Sequence, residues 1–383
     1  MMRHNRKIIY LAGFIGSIPL ALTSYINSSY LETYLGAYNV GVIYILASIL
    51  TIVGMIQMPR VLNYLGNRMT SILFSILSIL AFLLMAFGNT GWMVISAFVL
   101  YFVATNTLFA SVDIFIEDFS KRTDIGRVRG MYLMSINTAW VVAQLISGSI
   151  ITQSSFRGIY IVAALFMLVM CFVFIIFLRE FKDPKYTMVP IRKTIISFLK
   201  DKNITKIYFI NLILRFFFAW MVIYTPIYLH EYLGFGWDKI GIIFTIMLLP
   251  FMFFDVALGR LSDKIGEKKI LLFGFFISGV FTMIIPLITV PTLYLWAGIL
   301  FMTRVGAACI EVMSESYFFK CEKEEDADML SFFRNTNPVS FIIAPLCAIP
   351  ILVFVPSFKY LFFVLGAIMF SGMLLSIRLK EVK

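Results

Sequence analysis

Gly259-Arg260-Leu261-Ser262-Asp263-Lys264-Ile265-Gly266-Glu267-Lys268-Lys269 lies between two long apolar segments, a charged turn bracketed by glycines. A fainter copy runs from Pro59 to Met69, with Gly66 and Arg68 at the places of Gly266 and Lys268. A turn repeated at the same point of two apolar arrays predicts two related halves. Paired halves in a membrane chain point to a transporter.

Working outward, the chain of 383 residues is 61% hydrophobic, with a mean hydropathy of +0.93. That leaves too little polar surface to cover a soluble globule. Apolar runs near the roughly 20 residues that cross about 30 Å of hydrocarbon recur throughout, and helices satisfy their own backbone there. The expected spans are 8–26, 40–58, 69–87, 92–116, 130–152, 158–178, 206–229, 239–258, 269–288, 292–317, 329–354 and 359–378. The fold class is therefore an all-α polytopic membrane protein with twelve transmembrane helices in two six-helix bundles. Met1 to Lys7 forms a basic lead, but the first apolar run exceeds the roughly 7 to 15 residues of a signal peptide. It is read as a retained helix.

Lys and Arg accumulate in short cytoplasmic loops. With the N-terminus inside, inner segments carry most of the 32 Lys and Arg, and the outer loops hold Arg157, Lys239 and Lys359. Both termini are predicted cytoplasmic, in a cell (inner or plasma) membrane. Dispersal of the +11 net charge over these loops excludes a nucleic-acid surface. Cys171, Cys309 and Cys347 fall in apolar spans and Cys321 in an inner loop, so no external pair could form a disulfide. Metal spacing is absent, and no cofactor is expected. The Asn27-Ser28-Ser29 sequon is expected in an outer loop.

The hydrophilic stretch from Arg179 to Lys206 divides the helices. Expected domains are an N-terminal bundle over 1–178, a cytoplasmic linker over 179–205 and a C-terminal bundle over 206–383. Within the linker, 191–199 reads equally as a short helix on the inner leaflet or as a plain basic loop. Further matches join the halves. Asn106, Ala110, Asp113 and Glu117 repeat the spacing of Arg304, Ala308, Glu311 and Glu315; Asn137-Thr138 matches Asn335-Thr336; Ser155-Phe156-Arg157 matches Ser357-Phe358-Lys359.

On these residues the chain resembles the major facilitator superfamily of transporters over essentially its whole length. Gly259, Leu261, Asp263, Lys264, Gly266, Lys268 and Lys269 follow that family's loop signature, with Glu267 a small departure. Pro59, Val61, Asn63, Tyr64 and Asn67 depart from it in the first half. The resemblance implies two six-helix bundles around a central cavity, with alternating access. Independently of it, Gly259 and Gly266 suit close helix contact and a sharp turn. Asp263 suits capping and pairing. The alternatives are a latch and a topogenic turn, and the loss of the acid at Asn63 puts the first latch in doubt.

Asp113, Glu117, Glu311 and Glu315 lie near the inner ends of their helices, before Arg129 and Arg334. Salt-bridged gating is the leading reading. Proton coupling would need a buried carboxylate, with Asp113, Glu311 and Asp255 as candidates. Arg215 and Arg304 lie deep inside apolar spans, where an arginine generally faces a cavity or a partner. Two guanidinium groups could hold a phosphate or carboxylate, or each could pair with an acid.

Thr23 and Asn106 are candidate polar positions for a solute, Thr23 sharing a side of the first helix with Gly16, Pro19 and Asn27. Trp220 and Tyr224 lie on a face roughly opposite Arg215 and would favour cationic or amphiphilic ligands. Tyr101, Trp140 and Gln144 are weaker candidates. No ATP-binding or hydrolase motif occurs, so an enzyme is not expected. The reading is a monomeric secondary transporter of a small solute, organic anions leading, with lipid as its solvent and protons as a coupling candidate. Alternatives are proton-driven efflux of hydrophobic or cationic compounds, and a transporter-like receptor or scaffold.

Overall fold

Peptide groups without water to bond must bond within their own segment, and every regular element described is helical. The structure, a computed structural model, describes residues 2–118, 125–178, 181, 183, 186, 201–321, 333, 335–355 and 357–380. For 2–9, 38, 116–118, 125–130, 255, 256, 263 and 319 it describes the backbone alone. Arg334 and the segment 191–199 lie outside the described residues, as do the side chains of Glu117, Arg129, Asp255 and Asp263.

The chain divides into two compact units, Met1–Met188 and Val189–Lys383. The first holds α1 (Met2–Ser24), α2 (Asn27–Leu35), α3 (Ala37–Phe87), α4 (Gly91–Asp118) and α5 (Ile125–Phe177). The second holds α6 (Lys202–Ile227), α7 (Trp237–Phe253), α8 (Asp255–Ile265), α9 (Glu267–Ile284), α10 (Leu293–Cys321), α11 (Thr336–Phe354) and α12 (Tyr360–Ile377). Among the described residues, eight helices are long and apolar enough to cross a membrane.

The helices do not separate one for one into the expected spans. α3 and α5 each run through two of them, interrupted by a single residue outside helical geometry: Gly66 (φ 76, ψ 160) and Ser155 (φ 58, ψ −170). One left-handed residue redirects the chain without an intervening loop. The sequon residue Asn27 opens α2 and is buried, so it is not the loop residue expected.

In the first unit α1 packs along α5, and α3 packs on α4 and α5. In the second, α9 packs on α10 and α12, while α6 contacts α10, α11 and α12. Backbones approach closely where α9 meets α10: a Cβ on Gly274 would lie 2.8 Å from the carbonyl oxygen of Gly306. Small residues permit such contacts between membrane helices. α6 starts firmly, since Asp201 Oδ1 accepts the N–H groups of Asn203 at 2.7 Å and Ile204 at 3.1 Å. Past Pro226 it opens into one π turn, Tyr228–Tyr232.

Candidate functional site

α6 carries two different stripes. Asn211 and Arg215, one turn apart, face α10. The Arg215 guanidinium lies 2.9 Å from Glu311 Oε1 and 3.6 Å from Glu315 Oε1, with side-chain exposures of 23%, 27% and 38% for the three. Fully buried Asn211 donates from Nδ2 to Ser314 Oγ at 3.2 Å and accepts from Thr336 Oγ1 at 2.8 Å. Ser314 in turn donates to the Glu311 carbonyl at 3.1 Å. These bonds fix α10 and α11 against α6 just where Glu311 and Glu315 meet Arg215. Asn211, Ser314 and Thr336 were not singled out as site residues; an asparagine inside an apolar span was the available signal.

Arg304, on α10, is 1% exposed, with its Cζ 5.0 Å from the Phe217 ring centroid and 5.3 Å from that of Phe218. Arg215 Cζ lies 5.8 Å from the same Phe218 ring. The two sequence-predicted arginines thus share one aromatic neighbour. Arg215 is the more open of them, and its charge is divided between two carboxylates.

The other stripe of α6 is packed inside the unit. Trp220 and Tyr224 have no exposed surface; Trp220 meets Phe216 at 5.2 Å and Tyr224 at 5.6 Å, and Tyr224 meets Phe358 at 6.2 Å. Trp220 Nε1 and Tyr224 OH make no hydrogen bond among the described residues.

The two charged turns follow one plan. Gly66 and Gly266 adopt nearly the same left-handed geometry, Gly266 at φ 83, ψ 152. The next residue turns inward in each unit: Asn67 donates from Nδ2 to the Ser111 carbonyl at 3.0 Å, and Glu267 Oε1 accepts from Lys320 at 2.5 Å and Ser316 at 3.4 Å. The cation after that reaches carbonyls in the last turn of the final helix in the first unit and just past the final helix in the second. Arg68 donates to Phe174 O at 3.2 Å and Ile175 O at 2.8 Å, and Lys268 donates to Leu379 O at 3.1 Å. A cation is favourable at a helix C-terminus. Glu267 is therefore a paired, buried acid. Gly259 lies within α8, and a Cβ there would meet nothing within 4 Å among the described residues, so close helix contact does not explain it in this unit. Lys264 is exposed.

In the first unit, Thr23 Oγ1 lies 3.1 Å from Tyr101 OH and donates to Pro19 O at 2.9 Å, while Tyr160 OH donates to Asn27 Oδ1 at 2.9 Å. Gln144 Nε2 donates to the Ala21 carbonyl. Asn106, on α4, donates to Phe102 O at 2.7 Å, and Asp113 is half-buried one helical stretch further on. Thr23 therefore joins Tyr101 in an internal polar network, and Asn106 satisfies its own helix.

Comparison with known proteins places this geometry. No curated protein matches the chain. Solved structures do. A POT family transporter in complex with 5-aminolevulinic acid is 13% identical with a TM-score of 0.81, covering 97% of this chain and 95% of that one. A POT family transporter in complex with a thioalcohol-conjugated peptide gives 13% and 0.79 over the same shares. An auto-inhibited POT family peptide transporter gives 12% and 0.78, covering 99% and 98%. At these identities the likeness is one of fold. The family model described as Major Facilitator Superfamily matches residues 9–239 and again 209–383, and the chain belongs to that superfamily as a multi-pass membrane transport protein, not an enzyme.

Proposed function

We propose that the chain is a secondary transporter of a small organic anion, working by alternating access between two six-helix bundles with twelve spans, and that proton movement at Glu311 and Glu315 drives it. The single observation that carries this reading is Arg215 held between those two carboxylates on a partly open face of the second unit. Arg215 is shared between the two acids; a proton taken up by one of them frees part of the guanidinium, and a solute carboxylate then competes for it. Such an exchange couples binding to protonation without any cofactor. Arg304, sharing Phe218 with Arg215, adds a second positive group to the same region.

The parallel construction of the two turns supports the twofold plan. The uneven Lys and Arg distribution supports cytoplasmic termini in a cell membrane. Two similar structures hold 5-aminolevulinic acid and a conjugated peptide, which favours carboxylate-bearing solutes. Efflux of cationic compounds remains the second reading, because the carboxylates outnumber Arg215.

Thermal stabilisation of the purified protein by organic phosphates, carboxylates, sugars and lipophilic cations tests the reading. Carboxylates should raise the unfolding temperature of the wild type and not of Arg215→Ala/Arg304→Ala. Unchanged carboxylate affinity in that double variant refutes the anion site. Stabilisation by lipophilic cations, retained in the variant, selects efflux.

A further inference from the structure

Residue 63 is Asn where the second turn has Asp263, so the first turn contains no carboxylate of its own at that place. A carboxylate nevertheless sits on it. Asp183, beyond the end of α5, accepts the backbone N–H of Asn67 through Oδ1 at 2.6 Å. Asn67 begins the helical stretch after the break at Gly66, so the acid lies where a helix start favours negative charge.

The fit is close on several sides. A Cβ at Gly66 would lie 2.5 Å from Asp183 Oδ2, and φ at this residue is already in the glycine region. Tyr186 OH donates to the same Oδ1 at 2.7 Å, and Asn63 Nδ2 donates to the Tyr186 carbonyl at 2.9 Å. Phe181 sets its ring edge-on to Phe115 of α4, with centroids 4.6 Å apart. An aspartate at position 63 could not donate to Tyr186, and it would bring like charge near Asp183. The amide at 63 and the acid at 183 therefore form one arrangement. The second unit is built differently: residues after α12 supply carbonyls to Lys268 and Tyr317.

We propose that Asp183 is the acid of the first turn, supplied from the segment that leads toward the second unit, so that the first-half turn is a complete latch whose carboxylate belongs to the connector. Asp183 acts through the Asn67 backbone and is a positioning residue. Its consequence for transport rests on the alternating-access reading: releasing the acid would free the start of the connector from the turn and alter exchange between access states.

Hydrogen–deuterium exchange of the full-length protein in lipid nanodiscs tests the latch without any solute. In Asp183→Asn, the peptide spanning 63–70 should exchange roughly tenfold faster or more, with the Thr23 and Tyr101 peptides unchanged. Asn63→Asp alone should also loosen it, since it removes the donor to the Tyr186 carbonyl. Unchanged exchange in Asp183→Asn overturns the proposal. Should Asp183→Asn disturb the whole unit, Tyr186→Phe decides: it keeps the charge, removes one bond and should speed the same peptide severalfold, and no effect there also overturns the proposal. A flat ligand panel alongside positive exchange results removes the transport reading and leaves the latch standing.

Discussion

Replacing Arg215 with alanine is the most direct perturbation of the second unit. At 2.9 Å, two unit charges attract by about 6 kcal/mol at an effective dielectric of about 20, before desolvation is subtracted. Exposures of 23% and 27% place the pair between two limits. Exposed pairs contribute about 0–1 kcal/mol, and breaking a buried pair costs about 3–5 kcal/mol. Arg215→Ala should cost about 2 kcal/mol, because it takes away the guanidinium that Glu311 and Glu315 share. Glu311→Ala should cost only about 1 kcal/mol, since Arg215 keeps Glu315 nearby. The double-mutant cycle should then show a coupling of about 1 kcal/mol for Arg215 with Glu311, and less for the longer and more exposed contact with Glu315. Apparent unfolding temperatures in nanodiscs at a fixed scan rate rank these variants, and 1 M salt should shrink the coupling. Additivity of Arg215→Ala and Glu311→Ala, or wild-type stability in Arg215→Ala, refutes the reasoning.

Asn211→Ala should lose about 1 kcal/mol by removing its bonds to Ser314 and Thr336, whose hydroxyls keep the Glu311 and Phe333 carbonyls as acceptors, and its effect should fall short of additivity with Ser314→Ala in the same unfolding assay. Lys320→Ala should destabilise by about 3 kcal/mol, because the Glu267 carboxylate is left buried without its cation, whereas Glu267→Gln should cost less; equal unfolding temperatures for the two would refute this. Burial pushes the Cys321 thiol up, with the Asp201 carboxylate adding to it. A raised pKa keeps the thiol neutral to higher pH, so maleimide labelling at Cys321 should be slower at neutral pH than for an exposed cysteine and should accelerate as pH rises. Fast labelling at neutral pH contradicts that environment.

The apolar spans, the all-helical class and the charged turns were legible in the sequence because each depends on local composition. A long apolar run demands a helix, and a glycine followed by cations marks a sharp turn whatever surrounds it. Arg215 and Arg304 were legible for the same reason, since an arginine in an apolar span is conspicuous by itself. Partners were not, because a pair is decided by which helix faces which. Spacing marked Glu311 and Glu315 as gate acids, but only the packing of α6 on α10 put both beside Arg215. Trp220 and Tyr224 read from sequence as a cavity wall or as lipid-facing filler, and only the fold sets them beside Phe216 and Phe358 with no exposed surface. The breaks at Gly66 and Ser155 replace loops that apolar spacing implied, because one left-handed residue suffices to turn a helix. Asp183 shows the division most plainly. Its residue type was visible in the linker, but its attachment to a turn more than a hundred residues earlier arises only when α5 returns the chain to the start of the helix after Gly66. Local sequence determines which segments can be helices and where charge is anomalous; tertiary packing determines which charges meet.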